Sequence, residues 1–122
     1  MTFDEVREIV LALPGTAESD GYSTPALTVA GKLLARMKED DDTMVLLGVD
    51  HNARAALMEQ DPEVFFVTEH YEAYPNVLVW LPRATRKQVE ALLVLSWRTV
   101  APPALVKEFD ERPPAAPSPA RS

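Results

Sequence analysis

Residues 26–49 of this 122-residue chain read ALTVAGKLLARMKEDDDTMVLLGV, and this stretch decides the fold. Its alternating apolar residues predict three antiparallel strands, around Leu27–Val29, at Leu33–Lys38 and at Thr43–Val49. Gly31 supplies a tight turn after the first strand, and the acidic run Glu39–Asp42 forms the turn before the third. The third strand is apolar on both faces, which is typical of a strand at the centre of a sheet.

Three helices are predicted, and each has side chains suited to cap its first turn. These are a capping box of Thr2 with Glu5, the single residue Asp50, and a second capping box of Thr85 with Gln88. Apolar residues recur at helical spacing in the first and third helices, which therefore face a core. Each helix ends at a proline, which cannot continue the hydrogen-bond ladder.

Two more strands, Val64–Thr68 and Val77–Leu81, are nearly continuous apolar runs, so both are expected near the middle of the sheet. Residues 16–25 are polar and are read as a loop, and Ala104–Phe109 as one last helical turn. The element order is therefore α-β-β-β-α-β-β-α. This order predicts an α+β fold, a two-layer sandwich with a five-stranded antiparallel sheet.

The apolar strands pose a problem for such a sandwich, because a single layer of helices covers only one face of a sheet. Two explanations are open at this stage. Either the helices divide between the two faces, or part of the second face is buried against another subunit. The second explanation favours a homodimer, since large exposed apolar patches usually mark interfaces.

The composition limits the classes of protein that the chain can belong to. The absence of cysteine excludes disulfide scaffolds, thiolate zinc sites and cysteine nucleophiles. One domain is expected over residues 1–112, followed by a disordered proline- and alanine-rich tail over residues 113–122. The sequence has no apolar run of about 18 residues and an acidic N-terminal region, so we expect no membrane span and a cytoplasmic protein.

The net charge of −7 is distributed unevenly along the chain. Residues 1–82 carry fifteen acidic and five basic residues, whereas residues 83–107 carry five basic residues and one acidic residue. The five basic residues are candidates for contact with nucleic-acid phosphates; they are Arg83, Arg86, Lys87, Arg98 and Lys107. The alternative is that they form the ordinary solvated surface of a helix.

Four short motifs occur in a fixed order along the chain. They are LPG at 13–15 with Glu18, GKLLA at 31–35, FFVTEHY at 65–71 with YP at 74–75 and VLV at 77–79, and SWRTVAP at 96–102. Together they resemble the MmcQ/YjbR family of small bacterial proteins over residues 1–105. The resemblance implies an α-β3-α-β2-α fold, a double-wing architecture and a DNA-binding role.

The charges at the two hairpin turns disfavour DNA contact through the wings. One turn carries the single base Lys32, and the other is the run of four acids at Glu39–Asp42. Duplex DNA is bound nonspecifically by neutralising its phosphates with Lys and Arg, and an acidic tip repels them.

A second candidate site is the loop that contains His70, Tyr71 and Tyr74. A loop histidine beside carboxylates could act as an acid–base group or a metal ligand, because its pKa lies near neutrality. The alternative is that His70 and Tyr71 pin the loop to the sheet through hydrogen bonds to backbone groups. No nucleophile or partner is placed by spacing, so the sequence predicts no enzyme activity, no metal and no cofactor.

Two functional hypotheses follow. The first is a binding module with DNA as its partner, as the family resemblance implies. The second is a protein-interaction or small-ligand module, such as a homodimer, that acts through the apolar face of the sheet. The acidic charge favours the second hypothesis.

Overall fold

The computed structural model describes residues 1–111. The predicted α+β class is confirmed. The helices are α1 (Phe3–Leu11), α2 (His51–Gln60), α3 (Arg86–Val100) and α4 (Pro103–Glu111). The strands are β1 (Thr16–Ser19), β2 (Ala26–Val29), β3 (Lys32–Met37), β4 (Thr43–Leu47), β5 (Phe65–Phe66) and β6 (Asn76–Trp80), with a single 3-10 turn at Glu69–Tyr71. The predicted tail at 113–122 lies outside the described residues.

The strands form one antiparallel sheet in the order β1-β2-β3-β4-β6-β5. Strands β4 and β6 pair along five residues, from Thr43 opposite Trp80 to Leu47 opposite Asn76. β6 is therefore an interior strand, as predicted, although it lies next to the edge strand and not at the middle of the sheet. The prediction for β5 is wrong, because β5 has two residues and lies at the edge. The chain leaves the sheet after Phe66 and enters the 3-10 turn, so the apolar run does not continue as a strand.

The sheet has six strands instead of the predicted five, and the additional strand is β1. Its residues were read as a loop because TAES is polar and shows no apolar alternation; the strand is largely exposed at the edge. Gly15 adopts a left-handed conformation, with φ of 73°, directly before β1, which runs antiparallel to β2. The Ala30 N–H donates to the Gly15 carbonyl at 2.9 Å, which fixes the start of this pairing.

Helices α1 and α3 pack against each other, and their apolar stripes enclose one core with the sheet. Both predicted capping boxes are present, at Thr2 with Glu5 and at Thr85 with Gln88. Trp97 is fully buried in this core, and its indole N–H donates to a carbonyl at the end of the α1 region, 3.0 Å away. None of the helices formed by residues 1–111 is long and apolar enough to cross a membrane.

Helix α4 is longer than the predicted single turn, because its apolar face finds partners on the core. The Phe109 ring packs on the Trp97 indole with 5.1 Å between the ring centroids. Leu105 lies directly over Gly15, where any side chain would collide with its Cδ1 atom. These contacts extend the helix to Glu111.

The second face of the central strands is covered within the chain itself. Val45 of β4 and Leu78 of β6 are neighbours on this face and are 2% and 1% exposed. Arg36 of β3 lies beside Val45 in register, and its Nη2 donates to the Tyr71 hydroxyl at 2.9 Å. Tyr71 precedes β6, so the loop must pass over β4 to reach β3. The structure thus gives a third explanation for the doubly apolar strands, in which a loop covers the second face.

Replacement of Gly15 by Ala should lower the free energy of unfolding by about 2–4 kcal/mol, because the left-handed backbone and the displaced Leu105 both carry a cost. Gly31→Ala is the matched control. Gly31 also has a left-handed φ, of 80°, but no atom lies within 4 Å of its added Cβ. We expect a loss of about 1 kcal/mol there. Urea unfolding measures both, and equal losses would show that the Leu105 contact contributes nothing.

Candidate functional site

The three predicted arginines of the α3 region each face a carboxylate. Arg83 Nη2 lies 2.6 Å from Glu63 Oε1. Arg86 lies 3.5 Å from Glu8 and 3.7 Å from Glu90. These pairs are exposed, so they add little to stability. Their effect on function is larger, because each carboxylate cancels positive charge that a phosphate would otherwise meet.

Arg98 forms the most complete of these pairs. Its two Nη atoms donate to the two carboxylate oxygens of Asp110 at 2.6 and 3.3 Å. This hydrogen bonding lowers the pKa of Asp110 and raises that of Arg98. Lys87 and Lys107 are exposed, and neither forms an ion pair within the part of the chain that the structure describes. The five candidate residues therefore present two uncompensated charges.

The acidic turn at Glu39–Asp42 is organised around one carboxylate. Asp40 Oδ1 accepts the backbone N–H groups of Asp42 and Thr43, both at 2.9 Å, and Oδ2 accepts the Thr43 hydroxyl at 2.8 Å. The two backbone N–H donors lower the pKa of Asp40 more than any other contact does. No group of three or more His, Asp or Glu side chains among residues 1–111 could hold a metal ion.

The loop before β6 brings Tyr71 close to two cations, Arg36 in β3 and Lys38 directly after β3. Besides the bond from Arg36, Lys38 places its Nζ 5.3 Å from the centroid of the Tyr71 ring. The His70 ring meets the Tyr71 ring edge-on at 4.9 Å. We call Arg36, Lys38, His70 and Tyr71 the Tyr71 cluster. Tyr74, the third predicted loop residue, is 58% exposed and lies outside the cluster.

The same loop is held from its other side by α2. Arg54 of α2 is 5% exposed and donates to three backbone carbonyls, those of Glu72 at 2.9 Å and of Tyr74 and Asn76 at 3.1 Å. His51 Nε2 also lies 3.0 Å from the Glu72 carbonyl. Hydrogen bonds from Arg54 and a contact of His51 with backbone carbonyls hold this loop, together with the Arg36–Tyr71 side-chain bond, and the His70 ring packs on Tyr71.

Sequence reasoning does not single out Arg54. The one available signal was its position: it lies three and four residues before Leu57 and Met58, which face the core. A charged residue on the inner face of a helix must find partners, because an unpaired buried charge is costly.

An open groove lies between α2 and α3 and was also not predicted. Its volume is about 630 Å³. Leu95 stands in its wall and is 52% exposed. We call this the α2–α3 groove; it is lined by Ala53, Ala56, Leu57, Glu59, Gln60, Leu92 and Leu95. Its lining is mainly aliphatic, so it can hold apolar groups out of water.

Comparisons with known proteins agree with this architecture. The YjbR family model matches residues 11–99. The chain is 30% identical to Rv2570, an uncharacterised protein of Mycobacterium tuberculosis (strain H37Rv), over 88% of this chain and 95% of that protein. Mb2600, an uncharacterised protein of Mycobacterium bovis, matches to the same extent. The crystal structure of Deinococcus radiodurans protein DR2400, a DUF419 domain, superposes with a TM-score of 0.68 at 20% identity, covering 89% of this chain and 88% of that one.

Arg54→Met should lower the free energy of unfolding by about 2–4 kcal/mol, because it leaves one buried and two part-buried carbonyls without their donor. Arg83→Met is the control: it removes an exposed ion pair and should cost at most about 1 kcal/mol. Urea unfolding at neutral pH gives both values. Similar small losses in the two variants would mean that water replaces the guanidinium and that Arg54 does not hold the loop.

Asp40→Ala should cost about 1 kcal/mol at pH 7, as the loss of a capping carboxylate does. The pKa of Asp40 is lowered in the folded state, so its stabilisation is present above the unfolded pKa and is lost as the pH falls through the folded pKa. The difference between wild type and variant should therefore shrink below about pH 4. Asp42→Ala is the control, because it removes an acidic side chain of the same turn but keeps the backbone N–H of residue 42 that donates to Asp40. A difference that stays constant down to pH 2 would contradict this account.

Proposed function

The chain belongs to the YjbR family, and we propose that it is a binding module whose α2–α3 groove receives an amphipathic helix of a protein partner. The observation that carries the proposal is the exposure of Leu95 in the wall of an aliphatic groove. Large apolar side chains grouped at the surface of a charged protein usually mark an interaction site.

The shape of the groove suits a helix. It runs between two helices, and small side chains at Ala53 and Ala56 leave room beside Leu57 and Leu92. Helix α2 has ten residues and is about 15 Å long, so a partner helix of about three turns would fill it. Such helices bind with apolar residues at positions i, i+3, i+4 and i+7.

The charge of the surroundings selects the polar face of the partner. Glu59 lines the groove and forms no ion pair with any residue of the described chain, and the whole protein carries a charge of −7. A helix with Lys or Arg beside its apolar stripe would be attracted, and an acidic helix would be repelled.

The two earlier hypotheses have less support. A duplex would meet an acidic turn at Glu39–Asp42 and arginines that carboxylates already occupy. DNA interfaces are also much more polar than this groove. The apolar sheet face is a poor alternative site, because Val45 and Leu78 at its centre are already buried within the single chain.

The test uses two synthetic 14-residue helical peptides with the same leucine stripe and with either Lys or Glu at all other positions. Amide shifts in the nuclear magnetic resonance spectrum should move along α2 and α3 with the Lys peptide. Leu95→Glu should weaken this binding by about tenfold or more, since burying a leucine is worth about 1.5–3 kcal/mol.

Leu11→Glu is the matched control, because Leu11 is an exposed leucine of α1 and the change adds the same charge. It should leave the affinity unchanged. Equal weakening by both variants would reduce the binding to nonspecific attraction and would contradict the proposal. A labelled duplex measured at about 50 and 200 mM salt is the second arm. Tight, salt-sensitive duplex binding without peptide binding would favour the DNA role instead.

A further inference from the structure

We propose that the Tyr71 cluster is a binding site for the phosphate group of a small ligand. The cluster comprises Arg36, Lys38, His70 and Tyr71, and it shares no residue with the α2–α3 groove. The proposal is therefore independent of the function proposed above.

The first support is the way in which the chain distributes its charges. Residues 1–111 contain ten Lys and Arg residues, of which four arginines form ion pairs with carboxylates and Arg54 binds carbonyls. The other five are Lys32, Arg36, Lys38, Lys87 and Lys107. The three lysines at 32, 87 and 107 are exposed, where water solvates an ammonium group. Arg36 and Lys38 are half-buried and have no carboxylate partner in the described chain.

Leaving these two cations unpaired is unusual in a protein with nineteen acidic residues. A partly desolvated charge without a counter-charge costs free energy. Asp40 lies near enough for the charge of Lys38 to contribute to lowering its pKa, but its oxygens already accept two backbone N–H groups and the Thr43 hydroxyl. An added anion would supply a counter-charge for Arg36 and would add to the partial one that Asp40 provides for Lys38.

The second support is the geometry around the Tyr71 ring. Arg36 Nη2 lies 2.9 Å from the Tyr71 hydroxyl, and Lys38 Nζ lies 5.3 Å from the ring centroid. Because the hydroxyl accepts from Arg36, its own proton is free to be donated. The Arg36 Nη1 atom is held by the Met37 carbonyl at 3.3 Å and contacts Thr24 Oγ1 at 3.5 Å, so the guanidinium is fixed in place. These bonds leave the Nε–H and one Nη2–H of Arg36 for an incoming anion, and fixed, charge-assisted donors of this kind bind phosphate oxygens strongly.

Acidic residues around the Tyr71 cluster limit the size of the anion that can bind there. Four acidic residues follow at Glu39–Asp42, and Glu69 and Glu72 flank His70 and Tyr71 in sequence. A long polyanion such as a duplex would run into these carboxylates, whereas a single phosphate group need meet only the cluster. The geometry therefore favours a small phosphorylated ligand over nucleic acid.

The test is a titration with inorganic phosphate at pH 7 and constant ionic strength, followed by amide shifts at Lys38, His70 and Tyr71. We expect saturable shifts with a dissociation constant of about 1 mM, the level of a weak single-group ligand. Lys38→Met keeps the aliphatic chain and should weaken binding about tenfold. Tyr71→Phe keeps the ring and should weaken it severalfold. Lys32→Met, a lone exposed lysine, should have no effect.

Several results would overturn the proposal. These are an absence of saturation, equal effects of Lys38→Met and Lys32→Met, or the same shifts with sodium chloride as with phosphate. Saturable binding of acetate as tight as that of phosphate would reassign the site to carboxylates. Duplex binding that is tighter than phosphate binding and is lost in Lys38→Met would reassign it to nucleic acid. Leu95→Glu should leave the phosphate titration unchanged, so failure here and failure of the groove are separate outcomes.

Discussion

The main constraint on this fold is that its inner strands are apolar on both faces of the sheet. The hydrogen bond between Arg36 and Tyr71 helps to satisfy this constraint. The two strands, β4 and β6, are buried on both faces of the sheet, and the helices form a core with only one of these two faces. On the other face, Arg36 lies in register with Val45 and holds the loop before β6 through its hydrogen bond to the Tyr71 hydroxyl. From the other side, Arg54 holds the carbonyls of the same loop. Two arginines, Arg36 on a strand and Arg54 on a helix, thus hold the loop before β6 in a fold that has no second helical layer in its described part.

The placement of charge in this protein shows why a run of basic residues in a sequence is a poor measure of a positive surface. The segment 83–107 has an excess of four positive charges, yet its arginines meet carboxylates from distant positions. Glu8 lies in α1, Glu63 in the turn before β5, and Asp110 in α4. Meanwhile the segment with the larger negative charge contains Arg36 and Lys38, which meet none. The positive charge of a segment in the sequence therefore does not show where unpaired cations lie in the fold.

Much of the fold could be predicted from the sequence, because local rules act there. The capping boxes at Thr2 and Thr85 and the apolar periodicity of α1 and α3 depend only on neighbouring residues, and both predictions hold. Strand β1 could not be found, since an exposed edge strand needs no apolar pattern. The site was harder still. Arg54 binds carbonyls that are 18 to 22 residues away in the chain. The α2–α3 groove and the Tyr71 cluster likewise bring together residues that are far apart in the sequence, so their roles follow from packing.

The two margins of the sheet end in very short strands. At one margin β1 has four mostly polar residues, and at the other β5 has two. A free strand edge is a template on which another chain can polymerise through its backbone, and the hazard grows with the length of the edge. Here each margin offers only a few unpaired N–H and C=O groups before the chain turns away. The short edge strands thus limit the backbone pairing that another copy of the chain could make at either side of the apolar inner strands.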